Sequence, residues 1–178
     1  MTSELGLPRE LTGRRVLLRP PRLADVDDLM TYVNDPDWAR YLPVPQPYLR
    51  EHAVAWIESM LVADWVSRPL WAIEVEGRLQ GMTNAIMAAD LSEAELGISL
   101  DPGCWGRGYA REVLEVLGDA LFAKLAGLVR LRAWTDCRNL RARRLLEGLG
   151  YHFEGIVADR RVVRGESIDD AGYVLARP

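Results

Sequence analysis

The eleven residues Asp101-Pro-Gly-Cys-Trp-Gly-Arg-Gly-Tyr-Ala-Arg111 have the types and spacing to hold an anion. Gly106 and Gly108 carry no side chain, so the backbone there can take positive φ and let a ligand approach the N–H groups. Downstream, Ala110, Val113, Leu114, Leu117, Leu121 and Leu125 recur at three- and four-residue steps, the stripe of an amphipathic helix. The first turn of that helix aims unpaired N–H donors and a partial positive charge at the glycine loop. Arg107 and Arg111 add formal charge, and a pyrophosphate would suit the site. A Walker-type loop would need Lys-Ser or Lys-Thr after its last glycine, where Tyr109-Ala110 stands; the dinucleotide fingerprint would need Gly or Ala where Arg111 stands. A tight strand-to-helix turn with no ligand is the plainer alternative.

The elements that must position this loop follow from periodicity. Glu95 to Leu100 alternates as a strand and is broken by Asp101-Pro102-Gly103. Arg14 to Arg19 reads as a first strand, Leu23 to Asn34 as a helix ending before Asp35-Pro36, and Leu49 to Ser67 as a second helix. Leu70 to Val75 and Leu79 to Met87 flank Glu76-Gly77-Arg78 as a hairpin. A strand runs through Val129, Leu131 and Ala133; Asn139 caps a helix striped by Ala142, Leu145, Leu146 and Leu149 and stopped at Gly150. Strands near Tyr151 to Ala158 and Ser167 to Leu175 flank an Arg164-Gly165 turn. The predicted order is β-α-α-β-β-β-α-β-α-β-β, a mixed α/β sheet.

Two blocks carry a resemblance. Pro102-x-x-Trp105-Gly-Arg-Gly108-Tyr-Ala110 is similar to the acyl-CoA pyrophosphate loop of the GNAT superfamily of N-acetyltransferases, with Trp105 at its Gln/Arg position. Asn139-Leu-Arg-Ala142-Arg-Arg-Leu-Leu-Glu-Gly-Leu149-Gly-Tyr-His-Phe-Glu154-Gly155 resembles the second block of the RimJ/RimL-type branch, and Leu17-Leu-Arg19-Pro-Pro-Arg-Leu-Ala-Asp25 its first strand and turn. The likeness implies a GNAT fold, with residues 1–12 a tail and 13–178 one N-acetyltransferase domain. It implies transfer of an acetyl group from acetyl-CoA, a cosubstrate used without a metal, to a small amine or a peptide or protein N-terminus. Residues 105–111 would hold the pyrophosphate, with Arg144, the strongest candidate among Arg138, Arg141, Arg143 and Arg144, on CoA phosphates. Ile98, Ser99 and Leu100 would lie along the pantetheine, one of their N–H groups serving as an oxyanion donor. Asn139 would bond the cofactor near the thioester as well as cap its helix, and Glu95 would take the amine's proton, the alternative being an ordinary exposed carboxylate. The proline-rich loop Pro36 to Pro47, with Trp38, Tyr41 and Tyr48, would wall the acceptor site.

One departure touches the chemistry. Ala142 stands where the branch usually has a serine for the departing CoA sulfur, and Leu146 where other GNAT proteins use a tyrosine, leaving Tyr109, Tyr151 or water to take that part. This departure keeps a second reading open, a GNAT-like module that senses acyl-CoA or contacts a protein without turnover.

Composition sets the surrounding limits. The chain has 178 residues, 49% of them hydrophobic, enough for one sizeable core. Its net charge of −4 argues against nonspecific nucleic-acid binding and agrees with an amine substrate. His52, His152, Cys104 and Cys137 show no zinc-ligand spacing and no disulfide framework, which suits a reducing cytoplasm. No apolar run near the N-terminus suggests a signal peptide or a membrane span. The resemblance also leaves room for a homodimer.

Overall fold

The computed structural model describes residues 6–178. Strands β1 (Leu11–Thr12), β2 (Leu17–Arg19), β3 (Leu70–Val75), β4 (Arg78–Met87), β5 (Glu93–Leu100), β6 (Arg130–Asp136), β7 (His152–Val163) and β8 (Glu166–Ala176) form one sheet in the order β1-β2-β3-β4-β5-β6-β8-β7. Every neighbouring pair is antiparallel except β5 and β6. The crossover between those two is α4 (Tyr109–Lys124), the connection that parallel strands require.

Two hydrophobic layers sandwich the sheet. On one face Leu114, Leu117 and Leu121 of α4 and Leu146 of α5 (Leu140–Gly148) pack on Leu131, Ala133 and Tyr173. On the other, α1 (Asp25–Leu29), α2 (Pro36–Ala39) and α3 (Arg50–Leu61) place Val26, Leu29, Trp38 and Ile57 against Ala72, Leu79 and Met82. The block Arg19 to Asp25 now has a physical reason. Arg19, 3% exposed, forks onto Asp25, 4% exposed, at 2.9 and 2.7 Å and onto Glu74 at 2.5 Å, tying β2, α1 and β3 together.

The mixed α/β architecture agrees with the sequence reading; several boundaries differ. The helix expected over 23–34 keeps α-helical form only to Leu29, because three-residue bonds such as Thr31 N to Asp28 O and Tyr32 N to Leu29 O then interrupt the four-residue ladder. Asn34 meanwhile exchanges two hydrogen bonds with the Tyr48 backbone, and Asp35 caps α2 within the expected loop. The helix expected to Ser67 stops at Leu61, where Asp64 gathers the N–H groups of Val66 and Ser67 into a turn. β1 was not expected: it pairs with β2, and Leu7 is buried beside it, so residues 6–12 pack on the sheet instead of trailing as a tail. Residues 1–5 of that expected tail lie outside the described residues. No helix among the described residues is long and apolar enough to cross a membrane.

Candidate active site

The site begins where two strands part. β5 and β6 pair only from Glu93–Arg130 to Glu95–Arg132; beyond that, Leu96 to Leu100 keep β4 alone and Ala133 to Asp136 keep β8 alone. The Asp101 N–H donates to Gln80 O on β4 at 2.7 Å, so strand alternation turns the backbone groups of Ile98 and Leu100 the other way, into the gap. Trp105 Nε1 donates to Leu100 O at 3.0 Å, while no strand among the described residues pairs with Ile98 on that side. A cavity of about 650 Å³ runs through this opening, lined in part by Ile98, Ser99 and Leu100.

At its end the glycine loop turns into α4. Asp101 Oδ1 accepts from Gly103 N at 2.8 Å, Gly106 and Gly108 sit at φ 75° and 84°, and Gly108 caps α4. The N–H groups of residues 106–111 meet no acceptor among the described residues, as the free first turn of a helix requires. A Cβ at Gly106 would meet open space, so the loop is clear on that side.

Trp105 joins the loop to β5 and lies under the Arg141 guanidinium, 4.0 Å from its ring centroid. Gly106, Gly108, Tyr109, Ala110 and Arg111 line the cavity with Trp105. Arg107 does not: it is exposed, and its carbonyl serves the loop by accepting from Arg15 Nη1 at 2.9 Å.

Arg15 is a residue the sequence reading missed. Its Nε donates to Glu112 at 2.8 Å, its backbone N–H to the same carboxylate at 2.5 Å, and its guanidinium stacks 4.8 Å over Tyr109. Burial opposes ionisation of Glu112, yet the Arg15 bonds hold its carboxyl below the usual range. No local pattern marks Arg15, because its partners lie 92 and 97 residues away.

The opposite wall is the start of α5. Asn139 Oδ1 accepts from Ala142 N at 3.2 Å, and the Asn139 N–H donates to Asp136 O at 2.8 Å. The Nδ2 group has no partner among the described residues, so the side chain can cap the helix and still offer donors to the cavity it lines. Arg144 also lines the cavity. Asp136, 2% exposed, is pushed up by burial but held down further by the Arg138 side chain and N–H, so it stays ionised and braces this turn.

Ala142 faces the cavity without a donor, and Leu146 is buried. Of the expected substitutes, Tyr109 lines this cavity, whereas Tyr151 is 5% exposed and lines a separate cleft between α4 and β8. Cys104 also reaches the cavity wall; burial pushes its thiol up, and Sγ donates to Gln80 Oε1 at 3.0 Å.

The acceptor-side expectations divide. Trp38 and Tyr41 line the cavity, from α2 and the loop after it. Tyr48 does not: it is 6% exposed and stands edge-on to Trp38 at 6.1 Å, so it supports the wall from inside the core. Glu95 falls outside the lining, on the last paired residue of β5, and faces Arg160 Nη2 at 3.4 Å. Among the described residues that line the cavity, Asp37 is the one carboxylate, already paired with Arg40 at 2.6 Å.

Comparison with known proteins agrees with this geometry. Residues 15–152 match the family model described as the acetyltransferase (GNAT) domain. An uncharacterized N-acetyltransferase, p20 of Bacillus licheniformis, is 26% identical over 163 residues, covering 89% of this chain and 91% of that one. A GCN5-related N-acetyltransferase from Brucella melitensis superposes with a TM-score of 0.83 at 22% identity, over 96% of this chain and 81% of that one. RimL, a ribosomal-protein alpha-N-acetyltransferase solved with coenzyme A, gives 0.82 at 16% identity over 94% and 97%. At those identities the two solved structures speak for the fold.

Proposed function

The chain belongs to the GNAT acetyltransferase family, and on that footing we propose that it moves an acetyl group from acetyl-CoA to the α-amine of a peptide or to a small amine of comparable basicity. The observation that carries this reading is the parting of β5 from β6 directly ahead of a glycine loop whose N–H groups at residues 106–111 meet no acceptor among the described residues. The acetyl-CoA thioester supplies the activated acyl carbon. The open backbone of Ile98 suits an extended arm, and the first turn of α4 with Arg111 and Arg144 suits its phosphates. RimL, whose solved complex holds coenzyme A, shares this fold.

Direct attack needs a neutral amine. The new C–N bond forms first and makes the acyl carbon tetrahedral; the C–S bond then breaks, CoA leaves as thiolate, and the proton lost by the nitrogen must reach solvent or a base. Asp37 is engaged by Arg40 and Glu95 by Arg160, so the lining offers no unengaged carboxylate for that proton. An α-amine of pKa about 7.7–8.0 is roughly a quarter neutral near pH 7.4, whereas a lysine at about 10.4 is about a thousandth neutral. The site therefore favours the α-amine, whose proton passes to water. As the acyl carbon becomes tetrahedral, the Ile98 N–H donates to its oxygen in this reading, a contribution of roughly 3–4 kcal/mol for one such group.

The test is to follow thiol release from acetyl-CoA with a panel of short peptides, small amines and N-blocked lysine. Release with α-amines and little with lysine supports the reading. Acetyl-CoA at 100 times its Kd should raise stability by about 2.7 kcal/mol, or roughly 5–10 °C in Tm. Absence of both effects would overturn it.

A further inference from the structure

The β7–β8 hairpin ends in a two-residue turn, Arg164-Gly165, with both residues left-handed at φ 49° and 82°. Such a turn favours Asn-Gly, and a long side chain at its first position is sterically disfavoured. The hairpin imposes this backbone on Arg164, and both terminal nitrogens of its guanidinium are engaged. Arg164 Nη1 donates to Ala39 O at 3.1 Å and to Leu42 O at 2.9 Å, and Nη2 donates to Arg40 O at 3.0 Å. Arg161 Nη1 reaches the remaining carbonyl of that run, Tyr41 O, at 3.2 Å, while its Nε is fixed by Asp170, 1% exposed, at 2.8 Å. Four consecutive carbonyls at and beyond the C-terminus of α2 are thus engaged from a strand pair more than a hundred residues downstream. Ala39 O also accepts from the Leu42 N–H at 3.1 Å, while the carbonyls after it lie past the helix end, and the planar guanidinium fork suits several such acceptors at once. The same run carries Trp38, Tyr41 and Leu42 into the cavity wall.

We propose that Arg164, seconded by Arg161, is a positioning residue that latches α2 and Tyr41 against the cavity and so sets the affinity for the acceptor. This deepens the acyl-transfer reading and rests on it. Among the described residues Arg164 makes no bond to the glycine loop or to α5, and the latched run meets the donor wall through one long contact, Tyr41 Oη donating to Arg138 O at 3.4 Å, so the latch acts chiefly on the acceptor.

The test uses the full chain with Arg164→Asn, Arg164→Ala and Arg164→Lys, and as acceptor the panel amine that the wild-type chain acetylates best. Asn suits the turn, so that variant keeps the hairpin while losing the fork. Amide hydrogen exchange over residues 36–47 should quicken roughly tenfold in the Asn and Ala variants, with residues 101–111 unchanged. Acceptor KM should rise roughly tenfold with kcat within about threefold, and Lys should restore part of the loss. Acetyl-CoA Kd should stay within about twofold of wild type. Unchanged exchange over 36–47, or unchanged acceptor KM alongside normal wild-type turnover, overturns the latch alone. Failure of the wild-type chain to release CoA with any amine overturns the acyl-transfer reading, and the latch with it.

Discussion

Asn139 holds two roles in one side chain, and two substitutions pull them apart. Its Oδ1 caps α5 through Ala142 N at 3.2 Å, while Nδ2 faces the cavity without a partner. Asn139→Ala removes both functions. The lost cap costs about 1 kcal/mol, which for a chain of this length lowers Tm by roughly 2–4 °C. The lost donor costs about 1 kcal/mol of ligand binding, a factor of about five in Kd. Asn139→Asp keeps the cap acceptor and adds negative charge at a helix start, worth about 0.3–1 kcal/mol in the favourable direction. It also replaces the donor with a carboxylate facing an anionic ligand. The variants should therefore rank Asp at or above wild type and above Ala in Tm without ligand, but wild type above Ala above Asp in CoA affinity. Scanning calorimetry of the ligand-free chain and titration calorimetry with CoA read the two axes separately. An Asn139→Asp chain that binds CoA within about twofold of wild type would refute the contact between this amide and the ligand.

Arg15→Ala removes the brace on the glycine loop; since the side chain is 37% exposed, the expected loss is only about 1 kcal/mol, with a roughly threefold to tenfold weaker acetyl-CoA Kd by titration calorimetry. An unchanged Kd would show that the loop holds its shape without Arg15. Ala142→Ser adds a hydroxyl to the cavity wall beside the proposed leaving thiolate and should raise kcat at least about tenfold, since a full hydrogen bond to a charged atom is worth about 1.5–3 kcal/mol; stopped-time thiol assays at saturating substrates measure it, and an equal kcat would remove leaving-group stabilisation from the account. Glu112 and Asp136 both have folded pKa values below their ordinary ones, so the stability they contribute is present above the unfolded values of about 3.9–4.3 and is lost as pH falls through the folded values. Urea midpoints should hold flat down to about pH 4.5 and then fall, less steeply in Glu112→Gln; a decline that begins above about pH 6 would assign the acid sensitivity to other groups.

Much of the donor side is legible in the chain because its signals are local. A glycine that must take positive φ, a leucine stripe at helical period and an Asn three residues before the amide it caps each lie within one stretch of sequence. The acceptor side is less so. Tyr41 and Tyr48 look alike in the loop between the first helices, yet one lines the cavity and the other is buried under Trp38. Glu95 is placed on the expected strand, but its ion pair with Arg160 comes from β7, where an irregular register brings that arginine over the sheet.

The sequence alone determined the mixed α/β class, the glycine loop at the start of α4 and the cap of α5, because turn chemistry and helical period act over a few residues. Only the tertiary structure decided which residues brace that chemistry. Arg15, Arg161 and Arg164 hold backbone carbonyls 92 to 125 residues away. Every residue carries a carbonyl, so such a partner leaves no mark in the sequence. The same holds for the parting of β5 and β6: strand pattern shows that each exists, but the residue at which they cease to pair is visible only once β4 and β8 stand beside them.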